Sequence, residues 1–228
     1  MGDMVEFPSN GRSAQGYLAT PEAGAGPGVV VIQEWWGLVP HIKDLCDRFA
    51  TEGFTALAPD LYDGESATEP DEAGKLMMAL NIDHAAKQMS GAVDFLLGSD
   101  AVRGDGVGVI GFCMGGGLAL VLGCHRPDAV HAVAPFYGLI PWPDAQPDFS
   151  AMAASVQGHY AADDGFFSPD AARALEKQLQ DLGKDVEFFI YDGADHAFFN
   201  DTRPEVYDED AATQAWNRVL SFFRLKLG

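Results

Sequence analysis

The pattern of hydrophobic and polar positions predicts two different kinds of β-structure along the chain. Near the start, MVEF and QGYLAT flank the segment PSNGRSA, whose Asn-Gly pair is typical of a hairpin turn. Residues 29–32 then form an unbroken apolar run, as in a strand buried on both faces of a parallel sheet. In the next stretch, HIKDLCDRFATEG, Ile42, Leu45 and Phe49 recur at helical spacing. We therefore predict an N-terminal β-hairpin followed by alternating strands and helices.

The alternation of strand and helix continues to the end of the chain. Further strands are predicted at FTALAPDL, VGVIGF, HAVAPFYG, SVQGHY and VEFFIYDG, and further helices at residues 71–97, MGGGLALVLGCH, SPDAARALEKQLQDLG and DEDAATQAWNRVLSFFRLKL. This order favours a single α/β domain over residues 1–228, with a mostly parallel central sheet and helices on both faces. Ligand sites in such sheets gather at the carboxyl ends of the strands. The proline-rich stretch 139–148 is expected to be a loop at one of these ends.

The charge and the cysteine content of the chain limit which partners and which cellular compartment are expected. The 228 residues include 14 Lys and Arg against 34 Asp and Glu, a net charge of −20 that repels nucleic acids and anionic membranes. The count of three cysteines is too sparse for a disulfide framework, and the N-terminus lacks the pattern of a signal peptide. We expect a soluble cytoplasmic protein with a small-molecule substrate, either a monomer or a small homo-oligomer.

One cysteine lies in a segment that is typical of an exposed nucleophile. The sequence Gly111-Phe112-Cys113-Met114-Gly115 has the form Gly-x-nucleophile-x-Gly, between a predicted strand and a predicted helix. Small neighbours are needed there because the turn is sharp, and the helix N-terminus favours a thiolate. The alternative is an inert cysteine in the core. We prefer that alternative only for Cys46 and Cys124.

The segment also predicts an acid and then a histidine at later strand ends. Asp163 and Asp164 follow one predicted strand, and His196 follows the next. Such a histidine would take the thiol proton while the carboxylate orients the imidazole ring. His159 is a weaker alternative to His196, and the residues alone do not distinguish the two adjacent aspartates.

The chain resembles the dienelactone hydrolases, the carboxymethylenebutenolidases of the α/β-hydrolase superfamily. The resemblance lies in QEWWG, GFTALAPDLY, GFCMGG, the Asp164-x-Phe166 segment and DHAFFNDTRPEVY, and extends from the first hairpin to the last helix. It implies an α/β-hydrolase fold and a catalytic triad of Cys113, Asp164 and His196. It therefore favours Asp164 over Asp163.

The resemblance also assigns roles to the QEWWG segment. It implies that Glu34 lies near the thiol and helps to govern its protonation. It further implies that the backbone N–H groups of Trp35 and Met114 form the oxyanion hole, with one donor following the nucleophile and one from an earlier loop. A solvated loop carboxylate is the alternative for Glu34.

One departure from the family concerns recognition of a substrate carboxylate. The family is expected to bind it with arginines, yet one of these positions holds Asn200, and residues 64–88 contain Lys75 and Lys87 but no arginine. Arg203 lies nearby at a different place on the loop. An apolar pocket is expected from six aromatic residues, with ordinary packing as the alternative: Trp35, Trp36, Phe136, Tyr137, Trp142 and Phe198.

These features together predict a hydrolase that cleaves a lactone, enol ester or activated ester through an acyl-cysteine intermediate. No metal or other cofactor is expected, because the triad supplies the nucleophile and no zinc-type ligand spacing occurs. The alternatives are a broader carboxylesterase or thioesterase with the same triad, and a binding protein that keeps the fold without turnover.

Overall fold

The computed structural model describes residues 1–142 and 145–228. Strands β1 (Asp3–Ser9) and β2 (Arg12–Ala19) form the predicted N-terminal hairpin. Its two-residue turn places Asn10 and Gly11 at φ 48° and 78°, the left-handed backbone that matches the twist of the flanking strands. The hairpin joins the sheet through antiparallel pairing of β2 with β4 (Thr55–Pro59).

The remaining strands are parallel and complete an eight-stranded sheet in the described residues. They are β3 (Gly26–Ile32), β5 (Val102–Phe112), β6 (Val130–Phe136), β7 (Ser155–Ala161) and β8 (Val186–Tyr191). The strand order is β1-β2-β4-β3-β5-β6-β7-β8. The predicted α/β fold with a mostly parallel sheet is therefore confirmed.

Helices cover both faces of this sheet and bury two hydrophobic clusters. Helices α1 (Pro40–Thr51) and α6 (Glu209–Leu227) pack on one face. Helices α3 (Ile82–Leu97), α4 (Met114–His125) and α5 (Pro169–Asp181) pack on the other. Among the described residues, no helix combines the length and apolar character needed to cross a bilayer.

The predicted helix over residues 71–97 is wrong in one respect, because the structure divides it in two. Helix α2 (Pro70–Ala79) ends before Leu80, whose ψ of 121° is extended. Asn81 then begins α3, and its side-chain oxygen accepts a hydrogen bond from the His84 amide at 3.0 Å. An asparagine in this position satisfies a free amide of the first helical turn and stabilises the new helix start. Of the predicted loop 139–148, residues 143 and 144 lie outside the described part of the chain.

Candidate active site

Cys113 occupies a sharp turn between β5 and α4. Its backbone has φ 54° and ψ −119°, a conformation that L-residues rarely adopt and that is characteristic of functional sites. The Cys113 amide donates to the Phe136 carbonyl at 3.1 Å, and the Gly116 amide donates to the Cys113 carbonyl at 2.9 Å. These bonds hold the turn, and the half-buried side chain is left facing a cavity.

The glycines around Cys113 allow three backbone segments to approach one another. A Cβ atom on Gly115 would lie 2.6 Å from the Ile32 carbonyl oxygen, at the end of β3. A Cβ atom on Gly111 would overlap the Gly115 carbonyl oxygen. Both glycines are therefore required by the packing of β3 and β5 against the start of α4.

We predict that Gly111→Ala lowers the free energy of unfolding by at least about 2 kcal/mol, because the added methyl has no room. Urea unfolding followed by circular dichroism measures this change. Gly165→Ala is a suitable control, since a Cβ there meets no heavy atom within 4 Å, and we expect a change within about 0.5 kcal/mol. Equal losses in both variants would show that close approach is not the cause.

His196 and Asp164 lie just beyond neighbouring strands and contact each other. Asp164 follows β7 and His196 follows β8, and the His196 Nδ1 is 2.8 Å from the Asp164 Oδ2. The Asp164 side chain is fully buried, and its Oδ1 accepts hydrogen bonds from the amides of Phe166 (2.7 Å) and Phe167 (2.9 Å). The carboxylate is thus fixed by its own loop before it orients the imidazole.

The His196 ring and the side chain of Cys113 line the same cavity. Burial by itself lowers the pKa of His196. The hydrogen bond to Asp164 and the interaction with Cys113, with the negative charge of each, outweigh burial and raise the pKa to about 10. The structure therefore brings Cys113 and His196 into the wall of one cavity and holds the imidazole against the buried carboxylate of Asp164.

The alternative residues named from sequence lie elsewhere. Asp163 is exposed, and its amide donates to the Ala194 carbonyl at 3.0 Å. His159 is buried within β7, where its Nδ1 lies 2.8 Å from the Tyr191 hydroxyl. Burial, followed by the charge of Arg218, lowers the pKa of His159 to about 3. That imidazole is a neutral part of the core.

The other two cysteines are free thiols inside the protein. Burial raises the pKa of Cys46, and burial followed by the charge of Asp148 raises the pKa of Cys124 to about 12. Neither thiol lines the cavity that contains Cys113. Their environments are those of unreactive core cysteines.

Glu34 lines the same cavity as Cys113, but its hydrogen bonds go to other residues. It is 1% exposed. Its Oε1 accepts from the Tyr137 hydroxyl at 3.3 Å, and its Oε2 accepts from the Asn200 Nδ2 at 2.9 Å. Burial, followed by the charges of Glu34 and Cys113, raises the pKa of Tyr137 well above its usual range, so the phenol remains a donor.

The two main-chain groups predicted as an oxyanion hole lie in different segments, one in the loop after β3 and one at the start of α4. Met114 is the first residue of α4, where an amide has no acceptor within its own helix. The Trp35 amide donates to no acceptor among residues 1–142 and 145–228. Both residues line the cavity.

The cavity has a volume of about 440 Å³, and most of its wall is apolar. Its apolar lining consists of Trp35, Trp36, Pro70, Met77, Met114, Pro141, Phe166, Phe167 and Ala197. Of the six aromatic residues predicted to form the pocket, only the two tryptophans of QEWWG are in that wall. Phe136, Tyr137 and Phe198 are fully buried beneath it, and Trp142 lines a separate groove.

Three contacts at the site were not found from sequence. Tyr137 and Asn200 bind Glu34, and Phe166 packs its 72%-exposed ring 4.8 Å from the ring of His196. The sequence could have indicated a role for Tyr137, because this residue directly follows β6 and so lies at the carboxyl ends of the strands. No local pattern in the sequence indicates the contact between residues 34 and 200, since 166 positions separate them.

In the described part of the chain, no group of three or more His, Cys, Asp or Glu side chains is arranged to hold a metal ion.

Comparison with known proteins places the chain in a family. Residues 14–227 match the model of the dienelactone hydrolase family. The chain is 42% identical over 231 residues to the protein usf of Aquifex pyrophilus, covering 98% of each chain. It is 38% identical over 233 residues to an Aquifex aeolicus protein named "Putative carboxymethylenebutenolidase", covering 100% of each.

Solved structures agree with these matches. A Klebsiella pneumoniae structure titled "Putative Dienelactone Hydrolase" superposes with a TM-score of 0.88 at 27% identity, covering 98% of each chain. The predicted resemblance and α/β-hydrolase fold are thereby confirmed. The chain belongs to the dienelactone hydrolase family and is a hydrolase that acts on ester bonds.

Proposed function

We propose that the protein hydrolyses a lactone, enol ester or other activated ester through a covalent acyl-cysteine intermediate on Cys113. The observation that carries the proposal is the placement of Cys113 and His196 in the wall of one cavity, with the His196 Nδ1 2.8 Å from the Asp164 Oδ2. Three free thiols are typical of a reducing compartment, so we expect the enzyme to act in the cytoplasm.

The first half of the reaction forms a thioester. The Cys113 thiolate attacks the ester carbonyl carbon, and the electron pair of the C=O bond moves onto oxygen. The amides of Trp35 and Met114 then donate to this oxyanion, a type of contact whose loss typically costs about 10²–10³ in rate. As the tetrahedral intermediate collapses, the carbon–oxygen bond of the ester breaks. The leaving alkoxide or enolate takes the proton from the His196 imidazolium.

The second half regenerates the thiolate. His196, now neutral, removes a proton from a water molecule that attacks the thioester carbon. Collapse of the second intermediate releases the carboxylic acid and returns the thiolate beside the imidazolium. The net change is one ester and one water converted to an acid and an alcohol, which remain joined when the substrate is a lactone.

The thiol that becomes acylated tests this proposal directly. The protein is mixed with p-nitrophenyl acetate, quenched in acid within milliseconds to seconds, and mapped by peptide mass spectrometry. We expect one acetyl group on Cys113 and none on Cys46 or Cys124, because burial raises the pKa of both of those thiols. Turnover without acylation of Cys113 would contradict the mechanism.

Profiling lactones, oxygen esters and thioesters with the same preparation separates the substrate classes. A preference for thioesters would favour the broader thioesterase. Acylation with no turnover on any of these compounds would favour a binding protein.

A further inference from the structure

An exposed aromatic ring lies beside the imidazole of the site. Phe166 is 72% exposed, although it lines the cavity that contains Cys113 and His196. Its ring centroid is 4.8 Å from that of His196, and the two ring planes are inclined by 51°. A side chain with this exposure makes little contact with the core, and most of its apolar surface is open to the cavity and to solvent. The ring of Phe166 is therefore available to contact a bound ligand.

The backbone of Phe166 is held by the same carboxylate that holds the imidazole. The Asp164 Oδ1 accepts from the Phe166 amide at 2.7 Å, and the Asp164 Oδ2 lies 2.8 Å from the His196 Nδ1. These two contacts fix the backbone of residue 166 at a set place relative to the imidazole. Because the amide makes this hydrogen bond, a substitution at Phe166 removes the ring and leaves the support of Asp164 in place.

The direction of the imidazole determines which part of an ester comes near the ring of Phe166. The His196 Nδ1 faces Asp164, so in the proposed reaction the leaving oxygen takes its proton from Nε2, at a distance of about 2.6–3.2 Å. The alcohol part of the ester is bonded to this oxygen and therefore lies beside the imidazole. Two rings of the cavity wall pack near His196, at 4.8 Å for Phe166 and 6.0 Å for the half-buried Phe167. The nearer ring is also the exposed one.

We propose that Phe166 determines specificity for the alcohol part of the ester, by stacking on a flat aromatic or conjugated leaving group. The inference rests on the proposed function, because it assigns a substrate contact in the same cavity. Aromatic rings attract other π-systems in offset-stacked or edge-to-face arrangements, beyond what the buried area contributes. A branched aliphatic alcohol buries apolar surface against the ring but lacks this attraction. Phe166 therefore favours esters of phenols and enols over aliphatic esters whose alcohols leave equally well.

Two acetate esters whose leaving groups have nearly equal acidity test the proposal. The flat one is 4-chlorophenyl acetate, and the branched one is hexafluoroisopropyl acetate. Because kcat/KM reports the steps up to departure of the alcohol, we expect Phe166→Leu to lower the aryl-to-alkyl ratio of kcat/KM by about three- to tenfold. Phe166→Tyr retains a ring and should keep the ratio close to that of the wild type. An unchanged ratio in Phe166→Leu would overturn the proposal.

A matched control and the second half of the reaction separate substrate contact from orientation of the imidazole. Tyr207→Leu is the control, because Tyr207 is another exposed aromatic residue but does not line the cavity, and it should leave the ratio unchanged. Both esters form the same acetyl-enzyme, whose breakdown no longer involves the alcohol. Mass spectrometry of quenched samples follows this breakdown, and we expect Phe166→Leu to change its rate by less than about twofold. An equal loss for both esters, with equally slowed breakdown, would show that Phe166 only orients His196 and would overturn the proposal.

Binding of the free alcohol gives a measurement that does not depend on turnover. Iodoacetamide alkylates Cys113 by forming a carbon–sulfur bond with release of iodide, and we expect bound 4-chlorophenol to slow this reaction. Phe166→Leu should raise the 4-chlorophenol concentration that gives half protection by about three- to tenfold. Protection that depends on Phe166, without ester turnover, would count against the proposed function alone. Turnover through Cys113, with the ratio and the protection both unchanged in Phe166→Leu, would count against this inference alone.

Discussion

Cys113→Ala is expected to lower kcat/KM for an activated ester by about 10⁴-fold or more, because no other group in the cavity can form the covalent intermediate. Steady-state hydrolysis of p-nitrophenyl acetate measures the loss. Cys124→Ala is the matched control. Its thiol is buried, lies outside the cavity and has a pKa raised by burial to about 12, so we expect its kcat/KM to stay close to that of the wild type. Full activity in Cys113→Ala would refute the assignment of the nucleophile.

The serine variant at the same position separates geometry from acidity. Cys113→Ser preserves the turn and the size of the side chain, but a hydroxyl needs a stronger base than a thiol does. In the wild type the interaction with Cys113 and its charge help to raise the pKa of His196, and an uncharged serine hydroxyl removes that contribution. We therefore expect a loss of about 10²–10⁴-fold, which is smaller than in the alanine variant. Equal activity of the cysteine and serine enzymes would show that thiolate formation is not required.

Asp164→Asn is expected to lower kcat/KM by about 10²–10⁴-fold and to change the pH dependence of the reaction. The carboxylate raises the pKa of His196 through a hydrogen bond and through its charge. In the wild type the imidazolium persists until the pH rises through about 10, so activity that needs the thiolate–imidazolium pair should fall there. In the variant this alkaline limb should move to lower pH by about 1–3 units. A pH series of kcat/KM measures both effects.

The same pKa has a consequence for stability. His196 has a folded-state pKa above its unfolded value of 6.5. Its contribution to the free energy of unfolding is therefore fully present below pH 6.5 and is lost as the pH rises through about 10. Asp163→Asn is the control for the pH dependence of kcat/KM and for that of the free energy of unfolding, since this neighbouring aspartate is exposed and does not bind His196. An alkaline limb that stays in place in Asp164→Asn would contradict the role of the carboxylate.

Local patterns along the chain determined the fold class and indicated the position of the proposed nucleophile. Apolar runs and helical spacing depend on neighbouring residues, so the alternation of strands and helices was visible without any long-range contact. The Gly-x-Cys-x-Gly segment was visible for the same reason, because the close approach of Gly111 to Gly115 arises within one strand–turn–helix unit. The break between α2 and α3 was missed, although Asn81 carried the local signal of a new helix start.

Only the tertiary structure decided which side chains contact one another at the site. Asp163 and Asp164 are chemically identical neighbours, and the backbone of their loop determines that Asp164 is buried against His196. Glu34 and Asn200 are 166 positions apart in the sequence. They come into contact because β3 ends, and the loop after β8 begins, at the same edge of the sheet. Residue type and spacing indicate what chemistry a side chain can perform, but they do not indicate the direction in which it points. The direction of a loop side chain depends on packing from elements that are distant in the sequence.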